Sequence, residues 1–304
     1  MKKTQSTVDQ NYDVVEVGQF DIQKVVNAYK NELGIDISRF VSESSLHVYA
    51  CEQTGLRFYR GIDPGDGPFY ENLMRFDWYY IDWKWEHEVV KSLLTSNDHL
   101  LEIGCGNGGF LNGIREICPN SEGIELNDKA VEKSQSRGLK VFNDSLESLV
   151  EKKANTLDYI VSFQVLEHVQ YPGAFLKSAL LFLKSGGKLI VSVPNNDSFL
   201  RLDKFNTLNL PPHHMNLWDE SSLTKVGDYL GTKPPQFHYE PLQDYHKKWY
   251  VSTMLAQKQK EINQIPPVLR GWHYRKLKKS FTEWVDVEQE NIKGHSILAI
   301  FEKK

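Results

Sequence analysis

Between His99 and Asn195 the chain alternates short, almost wholly apolar runs with amphipathic segments. That alternation restricts the fold more than any other feature of its 304 residues. The runs "HLLEIG", "SEGIELN", "KVFN", "LDYIVSFQ" and "KLIVSVPN" read as strands. The intervening "FLNGIREIC", "DKAVEKSQSRG", "SLESLVEK" and "PGAFLKSALLFLKSGG" read as helices, the last closed by two glycines. Strands apolar on both sides are covered on both faces, and strand–helix–strand repetition means parallel strands with right-handed crossovers. The predicted fold class is α/β, a Rossmann-like sheet with helices on both faces. Further on, "DESSLTKVGDYLG" predicts a helix that starts near Asp219 or Glu220 and stops at Gly231. "PPQFHYEP" and "HSILAIFEKK" predict two more strands, separated by a polar, helical insertion at about 242–293.

The pattern upstream is different and sets off residues 1–90 as an N-terminal extension on a core of 91–304. Residues 1–19 are polar and are expected to fray. Phe20 to Gly34 has helical spacing, and Leu46 to Gly61 reads as a hairpin turning at Thr54-Gly55. "FDWYYIDWKWEHEVVKSLLT" reads as one long aromatic helix carrying Trp78, Tyr79, Tyr80, Trp83 and Trp85.

Bulk properties exclude several classes of function. A net charge of -4 gives no global basic field, so a nucleic-acid partner is not expected, and the run "RKLKK" reads as a solvated helix face. No stretch approaches the roughly 18 apolar residues of a membrane span, and the N-terminus has no apolar core behind its lysines. Three scattered cysteines suit a reducing, cytoplasmic compartment.

The turn "LLEIGCGNGGF" carries the first chemical signal. Glycines at 104, 106 and 108 between a strand and a helix expose unpaired N–H groups and let a ligand approach the backbone. Spacing alone also admits a dinucleotide register through Gly104, Gly106 and Gly109. The neighbouring carboxylates narrow the choice. Glu102, just before the turn, repels a pyrophosphate and attracts a cationic amino group. Glu125, ending the second strand, suits a ribose diol, and Asp144-Ser145, ending the third, suits an exocyclic amine. The ligand implied is an amino acid at one end and a nucleoside at the other.

"LLEIGCGNGGF", "GIELND", "FNDSLESL" and "LDYIVSFQVLEHV" resemble the successive motifs of class I S-adenosylmethionine-dependent methyltransferases. "GGKLIVSVPNN" and "PPHHMNLWDESSL" extend the likeness toward the ubiquinone-biosynthesis O-methyltransferase type and bacterial glycan-associated relatives. The resemblance implies a seven-stranded sheet whose last strand is antiparallel, with S-adenosyl-L-methionine as cofactor. It implies cofactor contacts from Glu102, Gly104, Cys105, Gly106, Asn107, Gly108, Glu125, Leu126, Asn143, Asp144, Ser145 and Gln164. It also implies an aromatic lid, here Tyr79, Tyr80, Trp83 and Lys84.

The motifs identify a methyl donor and leave the acceptor open. A hydroxyl acceptor needs a base, and histidine suits neutral pH. His213 and His214, in the stiff "PPHH" loop after the fifth strand, and His168, after the fourth, are the candidates. The expected acceptor is a small molecule or a surface-glycan precursor, methylated at oxygen. Nitrogen or carbon transfer, and a catalytically silent cofactor-binding regulator, are the alternatives. No metal is expected: the histidines have no ligand spacing, and Thr54 stands where Cys51 would need a zinc-ribbon partner.

Overall fold

The computed structural model describes residues 4–76, 79 and 81–304; Trp78 and Tyr80 lie outside the described residues. The N-terminal part contains β1 (Val14–Phe20), α1 (Ile22–Ala28), β2 (Leu46–Cys51), β3 (Arg57–Arg60), α2 (Gly67–Leu73) and α3 (Trp85–Lys91). Next come β4 (His99–Ile103), α4 (Gly109–Ile114), β5 (Asn120–Ile124), α5 (Asp128–Ser136), β6 (Val141–Phe142) and α6 (Leu146–Lys153). They are followed by β7 (Leu157–Phe163), α7 (Pro172–Phe182), β8 (Leu183–Pro194), β9 (Asn216–Leu217), α8 (Glu220–Leu230) and β10 (Gln236–Pro241). The chain closes with α9 (Asp244–Gln257), α10 (Gln259–Asn263), α11 (Pro267–Glu288) and β11 (Lys293–Glu302).

The main sheet has seven strands in the order β10-β11-β8-β7-β4-β5-β6. Pairings among β4 to β8 are parallel, and β11 runs antiparallel to both its neighbours. This is the expected α/β, Rossmann-like architecture. One apolar layer gathers Leu101, Ile160, Val191, Trp218 and Phe301. The other gathers Leu100, Phe110, Val161, Ile190 and Leu298. The central strands are thus apolar on both faces because both faces are buried. Asp219 caps α8 and Gly231, at φ 71°, ends it.

The second sheet, β1-β2-β3-β9, is antiparallel and takes its last strand from the core. It corrects the expectation of a frayed start. Polar alternation in "VVEVGQF" marks an edge strand, and β1 pairs with β2 from Val14–Cys51 to Phe20–Leu46. Ser6, Thr7 and Val8 are buried. Thr7 donates to Asn216 Oδ1 at 3.3 Å, and Tyr229 donates to Asp9 Oδ2 at 3.0 Å.

Two helix boundaries also differ from expectation. The aromatic helix is confined to Trp85–Lys91. Lys84 is extended, at φ -122° and ψ 168°. The preceding segment lies across α4, where a Cβ on Gly109 would come within 2.3 Å of the Asp82 carbonyl oxygen. A Cβ on Gly113 would come within 2.1 Å of the Trp83 ring. Bare backbone on α4 admits a flat strand of chain there, and this packing overrides local helix propensity. The helix before β8 ends at Phe182, and the paired glycines fall inside β8, where Gly186 takes φ 79° and donates its N–H to Lys303. Among the described residues no helix is long and apolar enough to cross a membrane.

Docking of the N-terminal segment is testable at Gly173, in the first turn of α7. A Cβ there would stand 1.9 Å from the Val8 carbonyl oxygen. Gly173→Ala is expected to cost about 1–3 kcal/mol by overpacking, measured by urea unfolding. Unchanged stability would show that the segment does not dock on α7.

Candidate active site

Strand ends β4, β5, β6 and β7 open into one cavity of about 840 Å³. The glycine turn lies at its floor. Gly104, Gly106 and Gly108 take φ of 75°, 51° and 72°, a region that penalises any side chain. Gly104 also has no room for one, since its Cβ would meet Val165 at 2.5 Å.

Glu125 holds this turn. Its Oε2 accepts the Gly106 N–H at 2.9 Å, and its Oε1 accepts those of Leu126 at 2.8 Å and Asn127 at 2.9 Å. Three charge-assisted bonds occupy both lone pairs of Oε1 and one of Oε2, leaving one free on Oε2. Glu102 is different. It is buried, and its Oε2 has no hydrogen-bond partner. Burial, with the negative charge of Glu125 beside it, pushes its pKa well above the usual carboxylate range. Such an orphan lining a cavity is a ready acceptor for a cationic donor. Leu126 is 74% exposed at the cavity wall, an apolar face turned to the ligand space beside Asp144. Asp144 accepts from Ser148 at 3.2 Å, and the helix cap is Ser145. Gln164 takes φ 53°, a strained value for a residue with a side chain. It donates through Nε2 to Ser192 Oγ at 2.8 Å.

The histidines form the opposite wall. His168 Nδ1 donates to the His213 carbonyl at 2.6 Å, His213 Nδ1 to the Leu208 carbonyl at 2.8 Å, and His214 Nδ1 to Asn209 Oδ1 at 2.9 Å. Asn209 is oriented by its own amide bond to Asn196 Oδ1 at 2.8 Å. Every Nδ1 therefore carries the proton, and every Nε2 carries a lone pair. Tyr79 donates to the Nε2 of His213 at 3.3 Å. Burial pulls all three pKa values down, that of His168 to about 4. The loop is held from outside: Tyr29 donates to Leu210 at 2.7 Å, Tyr59 to Asn209 at 3.2 Å, and the Gly65 N–H to Pro212 at 2.9 Å.

The cavity brings together most of the residues expected from sequence and leaves out a few. Glu102, Gly104, Cys105, Gly106, Asn107, Glu125, Leu126, Asp144, Ser145, Gln164, Tyr79, Lys84 and the three histidines line it. Gly108 instead begins α4 as its cap. Asn143 donates to Asp128 Oδ1 on the surface, and Trp83 stacks on Phe110 with its Nε1 donating to Glu88 Oε2 at 3.1 Å. Tyr80 lies outside the described residues.

Two things were missed. One is a polar end wall made of Glu86, Glu240, Tyr245, His246 and His295. Tyr245 donates to Glu240 Oε1 at 3.2 Å, and Glu240 accepts the Ser296 N–H at 2.9 Å. Burial raises Glu240 to about 7. These residues come from α3, β10, α9 and β11, so no local pattern announced them. The other is the mutual proximity of His168, His213 and His214, one ring nitrogen of each lying within 4.8 Å of the others. The histidines show no ligand spacing in the sequence, and folding alone brings them together.

Residues 78–231 match a family described as a methyltransferase domain. An S-adenosylmethionine-dependent methyltransferase, so named, of Mycolicibacterium smegmatis is 27% identical over 194 residues, covering 60% of this chain and 74% of that protein. The ubiquinone biosynthesis O-methyltransferase of Nitrosococcus oceani is 30% identical over 102 residues, covering 32% of this chain and 43% of that protein. Among solved structures, a SAM-dependent methyltransferase from Archaeoglobus fulgidus aligns with a TM-score of 0.48 at 18% identity, over 71% of this chain and 94% of that one.

The orphan carboxylate has a measurable cost. As pH rises above 4.5 the unfolded chain ionises Glu102 while the folded chain keeps its proton, so the wild type loses stability. Glu102→Gln is spared that loss. Without ligand, its stability margin over wild type is expected to widen as pH rises from 5 to 8, measured by paired thermal melts. Parallel pH profiles would contradict the assignment.

Proposed function

The chain belongs to the methyltransferase-domain family, and from that premise we propose that it transfers the methyl group of S-adenosylmethionine to a hydroxyl of a small molecule or glycan precursor. The observation that carries this reading is the pairing of an orphan carboxylate and an amide-holding carboxylate around a glycine turn, across one cavity from three imidazoles.

The residues fit the donor. Glu102 would hold its amino group, satisfying the unpartnered Oε2. The free lone pair on Glu125 Oε2 would take a ribose hydroxyl, Leu126 would lie against the adenine, and Asp144 would accept from its amine. Bound S-adenosylmethionine supplies an electrophilic methyl group on a sulfonium. The chain's own task is alignment and the handling of one proton. The tautomers of His168, His213 and His214 are set by oxygen partners on Nδ1, which leaves the Nε2 lone pairs to take a proton; that of His213 accepts the Tyr79 hydroxyl at 3.3 Å. Glu86, Glu240, Tyr245, His246 and His295 offer many hydrogen bonds at the cavity end. That wall suits a hydroxyl-rich acceptor such as a sugar better than a flat apolar one.

Two variants separate the halves of the site. Glu125→Ala is expected to weaken S-adenosylhomocysteine binding by about tenfold or more, since bonds to a charged group contribute roughly 1.5–3 kcal/mol. Calorimetry showing unchanged affinity would sink the donor assignment. His213→Ala is expected to lower kcat by about 10²–10⁴-fold while leaving S-adenosylhomocysteine affinity nearly intact. Equal kcat for the alanine variants of all three histidines, on an acceptor that gains a methyl group, would remove them from the chemistry.

A further inference from the structure

We propose that His168, His213 and His214 form a binding site for a divalent transition metal, with an open position facing the cavity, where an oxygen of the acceptor becomes the next ligand. The site rests on the methyl-transfer reading only for its purpose; the geometry stands without it.

The first argument is convergence. One ring nitrogen from each histidine lies within 4.8 Å of the other two. A tetrahedral zinc at 2.0–2.1 Å from each nitrogen asks for separations of about 3.4 Å, so the rings need to draw in by roughly 1–1.5 Å, and the nearly parallel His213 and His214 rings to turn so that their in-plane lone pairs meet. The rings are already packed together: His213 and His214 stack at 4.4 Å between centroids, and His168 stands 4.6 and 5.0 Å from them. The second argument is the tautomer. A metal-binding imidazole donates its other N–H to a carbonyl or amide oxygen, which fixes the ring and directs the lone pair. All three histidines do this through Nδ1, to three different oxygens, and the Tyr79 hydroxyl on His213 Nε2 is the contact that a metal would displace. Three adjacent histidines that served only to pack would have no need for three parallel tautomers.

The third argument is charge. Glu167 is buried, lines the same cavity, and has an Oε2 without a partner. Its Oε1 lies 4.0 Å from His168 Nε2. A buried carboxyl group with an unpartnered oxygen beside the His168 lone pair suits a cation better than a neutral guest. Three imidazoles with a carboxylate near by suit zinc, iron or cobalt in preference to magnesium or calcium, which prefer all-oxygen sites. Three protein ligands with one position open is the arrangement of metal sites that act on a substrate. With their lone pairs on the metal the imidazoles would no longer serve as the base; a hydroxyl bound there would give its proton more readily to water, and the resulting oxygen would keep its place as the methyl group arrives.

The test uses the full chain, stripped with chelator, and Co²⁺ alone as the probe. The wild type is expected to take up one Co²⁺ per chain with the visible absorption of an imidazole-ligated ion, and Zn²⁺ is expected to displace it. His213→Ala and His214→Ala are expected to lose uptake while still binding S-adenosylhomocysteine, which reports that they fold. Asn209→Ala touches no metal but orients His214, and is expected to weaken Co²⁺ by about 10–100-fold. It serves also if the histidine variants do not fold. His99→Gln, on the exposed end of β4, is expected to bind Co²⁺ as the wild type does. No uptake by wild type, or uptake unaltered by the His213, His214 and Asn209 variants, overturns the site. S-adenosylhomocysteine binding without metal uptake defeats this inference alone, whereas metal uptake without S-adenosylhomocysteine binding defeats the methyl-donor reading alone.

Discussion

The three backbone N–H groups gathered by the Glu125 carboxylate hold the cavity floor together. They tie the glycine turn after β4 to the chain leaving β5, so two strand ends become one surface. Without that tie, the positive-φ glycines would be a mobile loop, and Glu102 would have no fixed place beneath them. Glu102 itself is held at a cost, buried with an unpartnered oxygen. A fold keeps such a group where a ligand offsets the cost, and here the group lines the cavity.

The opposite wall depends on a different device. The histidine loop leaves β8 and enters β9, which is the last strand of the N-terminal sheet. Tyr29, Tyr59 and Gly65 of the N-terminal part bond to its backbone, and the Met215 and Asn216 N–H groups bond to the Glu167 carbonyl after β7. The extension therefore acts on the site without lining most of it. It fixes the loop from outside, and with it the three imidazoles.

The core sheet was legible because each strand carries its own signature, an apolar run bounded by turn chemistry, and because β11 could be recognised as the closing strand. The carboxylates of the cavity were legible for the same reason: Glu102, Glu125 and Asp144 each stand at a strand end, a position that sequence alone marks. The polar wall was not. Glu86, Glu240, Tyr245, His246 and His295 come from four elements far apart in the chain, and nothing local in "WEHE" or "DYHKK" says that they meet. The flat course of Asp82 and Trp83 across α4 was hidden as well, because it is decided by the absence of side chains at Gly109 and Gly113, not by propensity in its own residues. The edge strand β1 was lost to its polar alternation, which reads the same in a solvated tail.

The measurement that tests the account most directly is a crystal structure of the chain with S-adenosylhomocysteine. The account predicts the amino group within hydrogen-bond distance of Glu102 Oε2, the ribose diol on Glu125, and the thioether sulfur turned toward the wall of His168, His213 and His214. A ligand bound with its ribose away from Glu125, or with Glu102 still unpartnered, would contradict it.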